Sequence, residues 1–520
     1  MDTNARHTLF TALAVSLGGF LFGFDASVIS GVIRFIRPEF GLTDIQLGWV
    51  VSSPSISAMV SMLAAGPVSD RLGRKHVLLL VAFLYVVSAV MSAMAVSFTM
   101  LVAARMLGGV AFGAALVLAP MYIAEIAPSN NRGFLVSVQQ LNIVLGFSVA
   151  YFSNYLILTG IEGDGVIAGL IHDGNAWRWM LGVEAIPAVA YFFLLFTVPQ
   201  SPRWLYASGR TSEALAVLTE LHGKDAASLE ASELERVLQL GEPRRAPFRA
   251  LLHPSVRYVL GVALLLGVLQ QITGVNAIYF YVTIIFEQSG IGANASFAQA
   301  VWVGIVNVVF TILAMLLIDR MGRRPLMLAG LAGIAVAMCI TAYGFSGATY
   351  SLSADDLDAF PVEVQEKLER MEGKVFEGDV AFKQTARAVL GETLYRNHEA
   401  RLVEQSISMN PYVVLFGVLL FVAAFAASLG PVMWVMLSEL FPTRLRAVGL
   451  SVTGFLNSFV SWMVQFIFPW ELSVLGNTGT FLLYGVFALI GLGILYAVMP
   501  ETKGKSLEEL EAHFSSGARG

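Results

Sequence analysis

Twelve apolar stretches, each about as long as a membrane-crossing helix, dominate this chain. They lie near 8–33, 45–68, 76–97, 99–124, 134–158 and 177–198, then near 256–286, 296–318, 325–346, 411–437, 447–468 and 477–499. A helix needs about 20 consecutive apolar residues to cross a bilayer. Inside hydrocarbon its backbone groups must be satisfied within the crossing segment. A dozen such runs therefore confine the chain to an all-α bundle of transmembrane helices. Composition agrees: 56% of the 520 residues are hydrophobic and only 13% charged, with a mean hydropathy of +0.71. Soluble domains carry roughly a quarter charged residues. The net charge of −5 is thinly spread, which argues against a nucleic-acid or polyanionic partner. One cysteine, Cys339, leaves no intramolecular disulfide to form. The first run is of spanning length and no small-residue cleavage site follows it, so it reads as a helix rather than a signal peptide.

The runs form two sets of six, at 1–198 and 255–500, joined by a polar stretch at 199–254 and followed by a tail at 501–520. In the joining stretch, "SEALAVLTEL" and "ELERVLQL" read as short amphipathic helices. Basic residues orient a membrane protein, because loops rich in Lys and Arg stay in the cytoplasm. "SDRLGRK" (69–75), "DRMGRRP" (319–325), Arg444, Arg446 and the joining stretch share one face, while the short loops of the opposite face hold only Arg34, Arg37 and Arg178. Both termini are thus expected in the cytoplasm. The halves also repeat. "DRLGRK" (70–75) recurs as "DRMGRR" (319–324) and "AEIAP" (124–128) as "SELFP" (438–442). The wider spacing of the second pair leaves a polar insertion at 347–409, placed outside the cell. Paired halves of this kind are a transporter architecture, with the substrate site between them at mid-membrane.

Within the first run, Asp25 is the only ionisable side chain from Thr8 to Ile33. An acid in hydrocarbon is costly and marks function. Counted from the span ends at ~1.5 Å per residue, Asp25, Arg105 and Glu184 share a depth roughly 9–12 Å below the outer surface. They can therefore neutralise one another, as a proton-handling cluster or as a structural salt bridge. The seventh span carries Gln270, Gln271 and Asn276 around Gly274. Amides can donate to and accept from sugar hydroxyls without charge. Gln140, Asn307, Trp434 and Asn457 are further inward-facing candidates, with Phe22 below the face of Trp434 that could stack on a sugar ring. The alternative for any one amide is helix–helix hydrogen bonding. The insertion has an apolar stripe at Phe360, Val364, Leu368, Met371 and Val375, and a second at Phe382, Ala386, Val389 and Thr393. It reads as a solvated loop, with a cap over the outer vestibule as the alternative. The sequence shows no metal-ligand cluster, nucleophile–base pair or phosphate loop, so neither a metal nor a cofactor nor an enzyme is expected.

An ordered set of motifs carries a resemblance to a known family. "GGFLFGFDASVISG" (18–31), "GPVSDRLGRK" (66–75), "PMYIAEIAP" (120–128), "QQITGVNAIYFY" (270–281), "DRMGRRPL" (319–326), "GPVMWVMLSELFP" (430–442) and "PETKGKSLEEL" (500–510) resemble the sugar porters of the major facilitator superfamily. The likeness is strongest to bacterial proton-coupled xylose- and glucose-type symporters. It implies twelve helices in two six-helix halves, a monomer in the cell membrane, and symport of a monosaccharide with a proton. It places Asp25 as proton acceptor, Arg105 as its partner and Glu184 as a second acid. Gln140, Gln270, Gln271, Asn276, Asn307, Trp434 and Asn457 fall on its sugar-binding positions. It also implies an inner latch of Asp70, Arg71, Arg74 and Glu125 in one half and Asp319, Arg320, Arg323 and Glu439 in the other. Those loops would otherwise only supply positive-inside charge. Departures are Gln200 for the family's glutamate, Phe147 for a glutamine and Ser458 for a tryptophan of the xylose pattern. Asn457 is typical of glucose-type members, so a hexose is expected ahead of xylose. The alternatives are an ion-independent facilitator and a non-transporting sugar sensor.

Overall fold

The computed structural model describes residues 3–128, 132–161, 170–172, 174–239, 248–442 and 445–501. The first set holds α1 (Thr3–Glu39), α2 (Asp44–Leu72), α3 (Arg74–Ala93), α4 (Phe98–Ile126) and α5 (Arg132–Ile161), then two consecutive pieces, Ala176–Gly182 and Ala185–Thr197. Local chemistry sets the starts. Thr43 and Gln46 form a reciprocal capping box at α2, and the Ser97 hydroxyl accepts from the Met100 N–H at α4. Both satisfy backbone donors that a helix start leaves orphaned. Pro254 and Pro411 open later helices, where a missing N–H costs nothing.

The second set comprises Pro254–Ile272 with Val275–Glu287, Ala293–Met321, Arg323–Ser346, Pro411–Ala427 with Leu429–Leu440, and Arg446–Val498. Among the described residues, eleven segments are long and apolar enough to cross a membrane. The last of the helices is 53 residues long, roughly 80 Å at ~1.5 Å per residue, more than twice a ~30 Å hydrocarbon core. It breaks at Gly476 (φ 71°), in the gap expected between the two final apolar runs.

α1 packs on α5 and α2 on α4. Between the sets, α2 lies along Arg446–Val498, α5 along Ala293–Met321 and α1 along Val275–Glu287. One large apolar core joins the two sets. A separate one, built from residues such as Val77, Tyr85, Tyr122 and Ile126, belongs to the first set with Leu221 of the joining stretch and reaches the basic end. In the joining stretch, the Thr211–His222 helix docks on the first set: Thr8 donates to the Leu221 carbonyl (3.1 Å), and the His222 ring meets the Ile126 carbonyl (2.8 Å). The second amphipathic segment lies in a longer helix, Lys224–Gln239, and Leu240 lies outside the described residues.

The insertion is a folded unit rather than a solvated loop. Strand β1 (Thr349–Tyr350) pairs antiparallel with β2 (Phe376–Glu377) on one side and β3 (Ile407–Ser408) on the other. Helices Val362–Leu368, Asp379–Leu390 and Glu392–Ser406 close over Tyr350, Phe360, Leu368, Met371, Phe382 and Leu402. The first stripe is buried as far as Met371, but Val375 is exposed because the helix has ended. The unit touches both sets. Glu399 pairs with Arg37 of α1 (2.9 Å) and Arg396 donates to the Gly41 carbonyl (3.0 Å). On the other side, Asp379 accepts from Asn477 Nδ2 (2.9 Å) and Lys383 donates to Gln288 (2.7 Å). A small cavity beneath it, about 50 Å³ and lined by Arg37, Tyr281, Lys383 and Glu399, has room for water.

Candidate functional site

Asp25 and Arg105 meet in the first set. The guanidinium Nη1 donates to Asp25 Oδ1 at 3.2 Å, with Arg105 1% and Asp25 4% exposed. Arg105 Nε donates to the Val50 carbonyl of α2 (3.1 Å). Pro54 makes that possible. A residue's N–H normally occupies the carbonyl four positions back, and proline has none. Val50 is therefore left without its helical donor, and besides Arg105 its carbonyl receives only a long contact from the Ser53 hydroxyl (3.5 Å) among the described residues. Glu184 sits in the break between Ala176–Gly182 and Ala185–Thr197, is 4% exposed, and lies within electrostatic reach of both Asp25 and Arg105. Arg105 Nη2 is buried and has no hydrogen-bond partner among the described residues. The arrangement can hold a proton on one of two acids beside a fixed cation.

The amides of the second set form one hydrogen-bonded cluster. Thr273–Gly274 interrupts the helix, with Gly274 at φ +94°, a conformation that glycine adopts at no steric cost. The break turns Asn276 back toward Gln271, to which it donates (2.6 Å). Gln271 Nε2 donates to Gln270 and Asn457 (3.2 Å each), and Asn457 Nδ2 donates to Gln270 (2.9 Å) and the Gly267 carbonyl (2.9 Å). Asn276 also donates to Ser461 (2.6 Å), which sequence reading missed. Ser461 also accepts from Gln465 Nε2, whose Oε1 accepts in turn from Ser55 of α2. The missed signal was Asn457, Ser461 and Gln465 at steps of four, one face of a helix.

Other candidates stand apart from this cluster. Asn307 is buried and Gln140 half-buried; no described hydrogen bond ties either to the amides. Trp434 is 43% exposed. Phe22 packs on Phe112 (4.9 Å) and Phe147 (6.4 Å), and Phe147 on Tyr279 (5.0 Å), an aromatic run linking α1, α5 and the second set.

At the basic end the two loops are built alike. Gly73 and Gly322 take positive φ (89° and 91°). Arg74 pairs with Asp70 (2.8 Å) and Glu125 (3.1 Å), and Arg323 pairs with Glu439 (2.9 Å). Gln200 accepts from the Lys75 N–H (3.0 Å), just as Glu501 accepts from the N–H groups of Arg323 and Arg324. The neutral Gln200 thus caps α3 as the acid caps its counterpart. Arg71 and Arg320 are exposed, while the side chain of Asp319 and all of Arg444 lie outside the described residues. The ion pairs described at this end stay within one set. Those reaching from one set to the other side lie at the opposite end: Arg34–Glu287 directly (2.9 Å) and Arg37–Glu399 through the insertion. There too Tyr151 donates to the Tyr279 carbonyl (2.6 Å), and Thr283 donates to the Ser30 carbonyl.

The profile of the "Sugar (and other) transporter" family matches residues 11–355 and 389–514, leaving out part of the insertion and a few residues at each end. The chain is 33% identical over 503 residues to an arabinose-proton symporter of Bacillus subtilis, covering 97% of this chain and 94% of that one. It is 31% identical to a D-xylose-proton symporter of Escherichia coli, covering 98% and 96%. The inward open conformation of the E. coli xylose transporter XylE superposes with a TM-score of 0.73 at 28% identity, over 96% of this chain and 98% of that one. With this match along most of its length and this shared architecture, the chain belongs to the sugar transporter family and has the major facilitator fold.

Proposed function

We propose that this protein imports a monosaccharide with a proton by alternating access, the two helical sets rocking about a central site and making or breaking no covalent bond. The buried Asp25–Arg105 pair carries this reading, because a desolvated acid is costly in lipid and such acids mark proton relays. The relatives named as arabinose- and xylose-proton symporters support it. Asp25 takes the proton, Arg105 holds it while ionised, and Glu184 is the second acid. Gln270, Gln271, Asn276 and Asn457 take the sugar hydroxyls, with Gln140, Asn307, Trp434 and Phe22 completing the pocket. Phe147 and Ser458 reshape that pocket, and with Asn457 they favour a hexose over xylose.

The basic end is cytoplasmic, so both termini and the joining stretch are inside and the insertion is outside. Counting the 53-residue helix as two gives twelve crossings. The protein works as a monomer in the cell membrane. The contacts across the outer end describe an inward-facing state; on opening outward, the Arg74–Glu125 and Arg323–Glu439 groups, with Asp70, Arg71, Asp319 and Arg320, form the inner latch. The experiment is to add sugar to de-energised vesicles and follow external pH. Alkalinisation is expected from the wild type, and Asp25→Asn is expected to bind and exchange sugar without proton uptake or accumulation. A wild type that gives no pH signal, or an Asp25→Asn that still concentrates sugar, makes the protein a facilitator.

A further inference from the structure

The amide cluster and the Asp25–Arg105 pair belong to different helical sets, yet a short path of polar contacts joins them through α2. At one end Arg105 Nε holds the Val50 carbonyl that Pro54 leaves free. Five residues along α2, about 7.5 Å of helix, Ser55 donates to Gln465 Oε1 (3.0 Å). Gln465 is 1% exposed, and its other amide atom donates to Ser461 (2.9 Å), which receives Asn276 (2.6 Å). Its backbone is held as well. Pro469 removes the helical donor to the Gln465 carbonyl, and the Tyr281 hydroxyl takes the vacancy at 2.8 Å, at the point where the Val275–Glu287 helix is kinked. Every polar atom of Gln465 that could link the sets is thus engaged.

We infer that Gln465 is a positioning residue, which with Ser55 makes sugar affinity depend on whether Asp25 carries a proton. The inference rests on the proton-symport reading. An ionised Asp25 draws Arg105, and Arg105 draws α2 by the Val50 carbonyl. A neutral Asp25 releases that hold, and α2 then moves relative to Gln465, changing how Ser461 presents Asn276 to the sugar. Asp25 is faced by Arg105 from α4, Glu184 from the segment after Gly182 and Tyr85 from α3; none of these is altered in the test. By linkage the coupling acts equally in both directions.

The measurement is the pH dependence of the half-saturating D-glucose concentration, with glucose-induced proton uptake, in proteoliposomes. An ordinary coupling makes this dependence roughly 5- to 150-fold in the wild type. Ser55→Ala is expected to flatten it and reduce protons taken up per sugar while sugar–sugar exchange persists. Gln465→Leu is expected to do the same, the double variant to add nothing further, and Ser55→Thr, which keeps the hydroxyl, to restore it. If the wild type takes up protons and both single variants keep its pH dependence and proton yield, the inference is overturned and the symport reading stands. A wild type without proton uptake overturns both. Should Gln465→Leu fail to fold, Ser55→Ala and its rescue decide alone.

Discussion

Two prolines do more at this site than interrupt helices. Pro54 and Pro469 each leave a carbonyl without its helical donor, and each is taken by a side chain from another helix, Arg105 and Tyr281. In lipid such a carbonyl is costly unless it finds a partner, so each proline dictates a contact as well as a bend. The amides follow the same rule. Gln271 both donates and accepts within the cluster, so it is already oriented for a hydroxyl. Gln271→Ala is expected to weaken sugar binding by ~1–3 kcal/mol, roughly 5- to 150-fold. Equilibrium binding to the purified protein checks this, and unchanged affinity in both Gln270→Ala and Gln271→Ala would remove this span from the pocket.

Among the elements, α2 and the Arg446–Val498 helix make the closest approach between sets. A Cβ placed at Gly48 would overlap the Phe466 carbonyl, beside Trp49, which packs edge-on against Trp462 and Phe466. Gly48→Leu is therefore expected to block closure at this end, retaining sugar binding within a few-fold but abolishing uptake and exchange. The joining stretch supplies a titrating contact outside the membrane. Both His222 nitrogens face acceptors, Glu230 (2.7 Å) and the Ile126 carbonyl (2.8 Å), which only the imidazolium can satisfy together. Burial opposes the charge, but Glu230 and the Ile126 carbonyl outweigh it and raise the His222 pKa. A raised value stabilises the fold below the ordinary pKa of ~6.5, and that contribution is lost as pH rises through the folded value. His222→Gln is expected to cost about 1 kcal/mol below pH ~6.5 and progressively less as pH rises through the folded value, seen as a flatter dependence of melting temperature on pH.

For the whole molecule, the insertion spans the two sets at the end that closes. Its Glu399–Arg37 pair is largely buried, so separating the sets there requires breaking it. Burial works against the Glu399 charge, but Arg37, Lys383 and Tyr395 outweigh it and hold the carboxyl below its ordinary value. The pair is therefore intact above the ordinary carboxylate pKa of ~4.3 and fails only as pH falls through the lower folded value. Glu399→Gln is expected to shift the balance toward the outward-open state by ~1–2 kcal/mol, roughly 5- to 30-fold. Spin labels on cysteines replacing Ile45 and Val474, both half-exposed, with Cys339→Ser, would report it as a longer distance. An unchanged distribution would mean that the insertion rides on the second set alone. Replacing 347–409 with a short glycine-serine loop is expected to leave transport in place, because the helical sets pack without it.

Much of this was legible in the chain. Run length and the lack of charge decide a helical membrane bundle, because hydrocarbon allows no other way to satisfy the backbone. The repeated motifs point to paired halves, and isolated Asp25 and the amides of the seventh span mark themselves by their cost in lipid. Tertiary structure decided the partners. Ser55 and Gln465 are 410 residues apart, and no local pattern ties them. The same holds for Arg105 on the Val50 carbonyl, Gln200 capping α3, and an insertion whose short helices needed one another to form a core. Solvent preference is a property of each side chain and its neighbours along the chain, whereas pairing depends on which distant groups are left unsatisfied and which lie within reach.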